Sequence, residues 1–121
     1  MVHVAAEGNK ISIPEIHYAV DYGVVVNEDR VKSQFEGGAV YALSGALKSA
    51  VSFKKGRVVE SNFNDYQLAR MPDTPGKIHV HIVPSTEKPT GVGEPPVPPA
   101  LCNAIFAATG KRIRELPVKL V

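Results

Sequence analysis

A single cysteine, Cys102, is all the thiol chemistry this 121-residue chain carries. One thiol cannot close an internal disulfide, so a disulfide-stapled secreted domain is excluded. Nor can it hold an iron–sulfur cluster, which takes four thiolates. Long apolar runs are lacking too: no stretch approaches the roughly 20 residues of a membrane-spanning helix, and no charged-then-apolar leader opens the sequence. Charge of one sign is close to balanced, with 14 Lys and Arg against 12 Asp and Glu for a formal net charge of +2. The densest basic cluster, Lys111-Arg112-Ile113-Arg114, follows a predicted helix end, where cations favour the dipole. It does not make a nucleic-acid footprint. Repeats and low-complexity linkers are absent. These absences leave a chain that reads as soluble and cytoplasmic, with no membrane span and no nucleic-acid partner.

What is present suits one globular domain over residues 1–121, with 44% apolar and 21% charged residues. Apolar and polar positions alternate over residues 2–6 and 10–20 around Glu7-Gly8-Asn9, a hairpin signal with the turn at Gly8-Asn9. Pro14 lacks a ladder donor and places this strand at an edge or bulge. The strand pattern runs on through residues 18–26, with a kink at Gly23. Asn27 then reads as a helix N-cap, followed by Glu28 and Asp29 where the dipole favours anions. Val31, Phe35, Ala39, Leu43, Leu47 and Ala50, with Ala46 beside them, form a helical stripe and a predicted core face.

Gly37, Gly38 and Gly45 fall inside that helix, each costing about 1 kcal/mol relative to Ala. They imply either close backbone packing or room for a ligand. Lys54-Lys55-Gly56 marks a second hairpin. Residues 61–71 show no clear period and end in the turn-rich Pro72-Asp73-Thr74-Pro75-Gly76. Residues 77–83 alternate as a strand, and a helix runs from Pro98 or Pro99 to Thr109 with Gly110 as its cap. The expected class is α+β: a mixed or antiparallel sheet of about five or six strands with two principal helices.

One loop stands out. In Gly91-Val92-Gly93-Glu94-Pro95-Pro96-Val97-Pro98-Pro99 a lone carboxylate lies between a glycine pair and a proline run. Gly91 and Gly93 let the chain pass close to a ligand, and Pro95 biases Glu94 toward extended backbone. A general base needs such fixing, although a solvated surface Glu would carry the same residues. His79 and His81, two apart on a strand, share a face and could begin a metal site. No third ligand stands near them in the sequence, so no metal ligands are assigned. Cys102 reads as a buried, inert thiol on the last helix.

That loop, running into Ala100-Leu101-Cys102-Asn103-Ala104-Ile105-Phe106-Ala107-Ala108-Thr109-Gly110, resembles a known family. So do three further blocks in order: Ala19-Val20-Asp21-Tyr22-Gly23 with Val25-Val26-Asn27, Gln34-Phe35-Glu36-Gly37-Gly38, and Ser61-Asn62-Phe63-Asn64-Asp65-Tyr66. Together, over about residues 4–117, they are similar to the C-terminal end of the molybdopterin-binding subunit of molybdenum hydroxylases. That is the xanthine dehydrogenase and aldehyde oxidase superfamily, and the likeness is to its isoquinoline 1-oxidoreductase beta-subunit type. Tyr22 departs from the small residue or Cys usual in the first block.

The resemblance implies hydroxylation of an N-heteroaromatic or aldehyde carbon with water-derived oxygen. Glu94 falls at the position of the general base, which accepts a proton from water or hydroxyl at the metal. Gln34 falls where an amide borders the pterin, although a solvent-facing helix residue is the alternative. Gly37, Gly38 and Gly93 would permit the cofactor's close approach. Asp21 would fix a strand turn.

The implied cofactor is molybdenum–molybdopterin in the assembled enzyme, expected to be absent from this chain alone, which is expected to be inactive. The implied partners are the remainder of the molybdopterin-binding subunit and a [2Fe-2S] subunit, in a parent enzyme that some relatives export to the periplasm. An exposed apolar patch would mark that docking face and drive homo-oligomers in isolation. The alternatives are a non-catalytic remnant serving as a small oligomeric interaction module, and a binding domain whose Glu94 grips a cationic ligand.

Overall fold

The structure, a computed structural model, describes residues 1–8, 10–91 and 96–120. Its spine is a parallel pair of strands far apart in sequence. The first two strands, β1 (Ala5–Glu7) and β2 (Lys10–Ser12), form an antiparallel hairpin with Ala6 opposite Ile11. Gly8 takes a left-handed φ of 60°, as a tight turn there requires. Pro14, with no N–H to donate, separates β2 from β3 (Glu15–Val20). Its carbonyl instead accepts from Lys77 N at 3.0 Å and opens the ladder of β3 with β6 (Lys77–Ile82). That ladder is parallel, pairing Glu15 with Lys77, His17 with His79 and Val20 with Ile82. On the other edge of β3, residues 1–3 run antiparallel, with His3 N donating to Glu15 O and His17 N to Met1 O.

Helix α1 (Glu28–Leu47) starts where Asn27 Oδ1 accepts from Arg30 N at 3.0 Å, the expected cap. Its stripe of Val31, Phe35, Ala39, Leu43 and Ala46 is buried. Ala50 lies past the helix end and is exposed. Helix α2 (Val97–Thr109) begins with prolines in its first turn and ends at Gly110, whose φ of 72° lets its N–H reach Phe106 O at 2.8 Å. Val97, Leu101 and Ile105 from α2 meet Leu43 from α1 and Ile16 from β3 in the core. Tyr18 and Phe35 rings lie 5.3 Å apart there. Cys102 is half-buried on α2.

Residues 51–68 form a contrasting arm, all exposed except Glu60. Strands β4 (Phe53–Lys54) and β5 (Arg57–Val58) turn over Lys55 and Gly56, with φ of 51° and 75°. Positive φ at both central residues is the hairpin geometry that suits strand twist. The arm's base is pinned by polar groups. Ser44 Oγ accepts from Ala69 N at 2.9 Å, Ser49 Oγ donates to Gln67 O at 3.0 Å, and Lys48 Nζ meets Asp73 Oδ2 at 2.7 Å. Asp73 closes a short 3₁₀ turn, Met71–Asp73.

The class is α+β, as expected, but the strands do not form one sheet. Among the described residues they pair as three separate two-stranded ladders. The break after β2 falls at Pro14, and β4–β5 stands off in the exposed arm. The strand expected to reach residue 26 stops at Val20, because Asp21 Oδ1 accepts from Gly23 N at 3.0 Å and bends the chain. Among the described residues, no helix is long and apolar enough to cross a membrane.

Candidate functional site

The buried stripe of α1 turns its opposite side outward, and that side carries the expected cofactor residues. Gln34 and Gly37 are exposed and Gly38 is half-buried; Tyr41, one turn on, is 72% exposed. Spacings of three and four place them along one face. A Cβ built at Gly37 or Gly45 would meet nothing within 4 Å. Close packing therefore does not account for these two helix glycines; they leave backbone open to approach. Lys32, beside this face, is held protonated above its usual range by the Glu28 carboxylate 2.7 Å away.

Glu94 and Gly93 lie outside the described residues. The residues flanking that loop are anchored on both sides. Thr90 N donates to Tyr22 O at 2.9 Å, and Pro96 caps α2 just before Val97, a core residue. The Asp21-Tyr22-Gly23 block fastens the incoming segment. Val24 N donates to Glu87 O at 2.9 Å, and a Cβ at Gly23 would strike the carbonyl oxygens of Glu87 and Lys88. Gly23 holds a φ of 82°, so glycine is needed twice over. Beside it, at the carboxyl ends of the parallel strands, opens a cleft of about 490 Å³ lined by Gly23, Val25, Val26, Ile82, Val83 and Pro84. Crevices at this end of parallel strands are common ligand sites.

Asp65 and Tyr66 sit on the arm in a turn closed on Asn62 O, away from the described core. Sequence reasoning reached only one side of a further constellation. The β3–β6 register sets Glu15 and His17 beside His79, three groups close enough to share a metal ion. Desolvation pushes the Glu15 carboxyl up, but the charge of His17 and a hydrogen bond from His3 outweigh it and hold it below the usual value. The sequence signals were the alternation of Glu15 with His17 and of His79 with His81, and neither says which strand pairs with which across more than 60 positions.

A solved structure with this arrangement is quinoline 2-oxidoreductase from Pseudomonas putida 86. It superposes with a TM-score of 0.75 over 89% of this chain and 15% of that one, at 22% identity. That likeness shows the fold: the α+β arrangement of this chain recurs as one part of that oxidoreductase. The family model for the molybdopterin cofactor-binding domain matches residues 1–75, and the chain belongs to that family. It is 40% identical to the membrane-bound aldehyde dehydrogenase [pyrroloquinoline-quinone] of Gluconacetobacter polyoxogenes, over 98% of this chain and 16% of that protein. It is 39% identical to the isoquinoline 1-oxidoreductase subunit beta of Brevundimonas diminuta, over 98% of this chain and 15% of that protein. The chain thus spans about one-sixth of the length of these relatives.

Whether the residues present suit a pterin is a matter of area and donors. Gln34 offers an amide with both donors and acceptors, beside a stretch of helix where Gly37 leaves the backbone uncovered. That fits one edge of such a group. A pterin held on all sides needs further walls, and the outward face of α1 has none.

Proposed function

We propose that this chain is the C-terminal portion of the molybdopterin-binding subunit of a molybdenum-dependent hydroxylase. Its 121 residues serve as one domain of that subunit. The observation carrying the reading is the alignment of 98% of the chain with two much longer oxidoreductases. Their names point to an aldehyde and to an N-heteroaromatic as substrate classes. Apolar side chains on the arm and in the turn at its base support that reading: Phe53, Phe63 and Met71 are 73%, 91% and 83% exposed. Apolar area of that kind marks a face that another domain covers.

When bound, the molybdenum–pterin group supplies a two-electron acceptor at which a substrate C–H is converted to C–OH with oxygen from water. Gln34 would hold the pterin through its amide, and Gly37, Gly38 and Gly93 would permit its close approach. Glu94 takes the proton that water gives up as its oxygen passes to carbon. A carboxylate is suited to this because it accepts a proton without itself becoming a cation. C–H and water together give C–OH, two protons and two electrons; the electrons would leave through a [2Fe-2S] subunit, since one cysteine here cannot build a cluster.

Glu94→Gln in the assembled enzyme tests the proposal. Turnover should fall by about 10² to 10⁴ while molybdenum content stays intact; unchanged turnover removes Glu94 from the mechanism. Gln34→Ala should instead weaken cofactor retention. A native pull-down assayed for molybdenum, for quinone and for co-purifying subunits separates the other readings. Quinone without molybdenum would favour the pyrroloquinoline-quinone named for the aldehyde dehydrogenase. A metal-free eluate holding only this chain would leave a non-catalytic interaction module.

A further inference from the structure

All four histidines of the chain gather around Glu15 on the outward face of the β3–β6 ladder. The register is the cause. His17 stands beside His79, Glu15 precedes His17 by two on β3, and His81 follows His79 by two on β6. Strand alternation sends these side chains to one face while Ile16, Tyr18 and Val80 turn toward the core. Residues 1–3, paired to the far edge of β3, bring His3 to the same face.

The distances are those of a loose ligand set. Glu15 Oε2 lies 3.6 Å from His17 Nε2 and 3.6 Å from His79 Nε2, and all three atoms fall within 4.8 Å of one another. A tetrahedral ion with bonds near 2.0–2.1 Å spaces its ligand atoms about 3.3 Å apart. Both carboxylate-to-imidazole gaps are within a few tenths of an ångström of that spacing. The His17 and His79 rings are stacked, with centroids 4.4 Å apart.

Two further groups stand where supporting partners belong. His81 Nε2 lies 3.4 Å from His17 Nδ1, and His3 Nδ1 lies 3.4 Å from Glu15 Oε1. Imidazole and carboxylate ligands are held by such bonds to their other polar atoms. The three central side chains are 32–38% exposed, open enough for an ion to enter. Two imidazoles with one carboxylate suit zinc, cobalt, nickel or copper, whereas calcium and magnesium take all-oxygen cages.

We propose that Glu15, His17 and His79 bind one divalent first-row transition-metal ion on the open face of the β3–β6 ladder. The site shares no residue with the Gln34 face of α1 and does not depend on the molybdenum reading. Three protein ligands leave a fourth position to water, so the ion is exchangeable. It ties the start of the chain to a strand more than 60 residues later.

The test compares metal uptake between wild type and variants, each purified with whatever accompanies it and dialysed against a chelator. Titration with Zn²⁺ should give wild type one equivalent more than Glu15→Gln or His79→Ala, and Co²⁺ should add the visible absorption of a tetrahedral site. His81→Ala should keep that equivalent with affinity lowered about 10-fold. His79→Gln, closer in shape, serves if circular dichroism shows His79→Ala to be misfolded. Equal uptake in wild type and the ligand variants, or none in wild type, overturns the proposal.

Discussion

The two halves of the crossover between β3 and β6 obey different rules. In α1 the sequence alternates at helical spacing, and Ala39, Leu43 and Ala46 are each at most 1% exposed. The arm that follows has as many large apolar side chains, yet leaves them in solvent. Its order comes from polar clamps at the base, with Ser44, Ser49 and Asp73 holding backbone groups of residues 67–70. The core keeps its place by excluding water; the arm is positioned by a few directed bonds and keeps its apolar groups available. On the function proposed above, in which the chain is one domain of a larger subunit, both are needed.

The largest effect on that contrast should come from the core. Leu101, fully buried on α2, has neighbours that cannot all collapse into the space it leaves, so Leu101→Ala should cost about 2–5 kcal/mol in chemical denaturation. A loss below about 1 kcal/mol would mean that the helices pack less tightly than described.

Acid should release the arm next. The hydrogen bond from Lys48, with a second from Arg70 N, holds the Asp73 carboxyl below the usual carboxylate range. A depressed folded value means that its stabilisation is present above the unfolded value, near 4, and is lost as pH falls through the lower folded one. Hydrogen exchange at residues 67–74 should therefore quicken below about pH 4, before α1 loses protection. Simultaneous loss would show that arm and core are one cooperative unit.

Phe63→Ser should have the smallest effect on folding, within about 0.5 kcal/mol, because the ring is already in water. Its consequence should appear in assembly, as weaker co-purification of larger subunits. Unchanged co-purification would take Phe63 out of the docking face.

Much of the local structure could be read from residues whose conformational needs are unusual. Asn27 announced a helix start, Gly8 and Gly56 their turns, and Gly110 a helix end. The stripe on α1 was legible because burial repeats with the helix. Pairing was not legible, because strand alternation fixes which face a residue takes and not which strand it meets. The division into three ladders and the parallel register were therefore out of reach. So was the histidine cluster, whose members come together only through that register. Of the candidate site, Gln34 and Gly37 are exposed and Gly38 is half-buried on α1, whereas Glu94 and Gly93 lie outside the described residues.

The position of the arm inside the β3–β6 crossover has an evolutionary consequence. The ladder already closes a long loop, and closure entropy grows only with the logarithm of length, about 0.6 kcal/mol per doubling. Residues could be added to or removed from the tip beyond Ser52 without disturbing the strands at either end. The arm is therefore the natural place for this domain to vary in length as it adapts to different neighbours, while the paired strands stay constant beneath it.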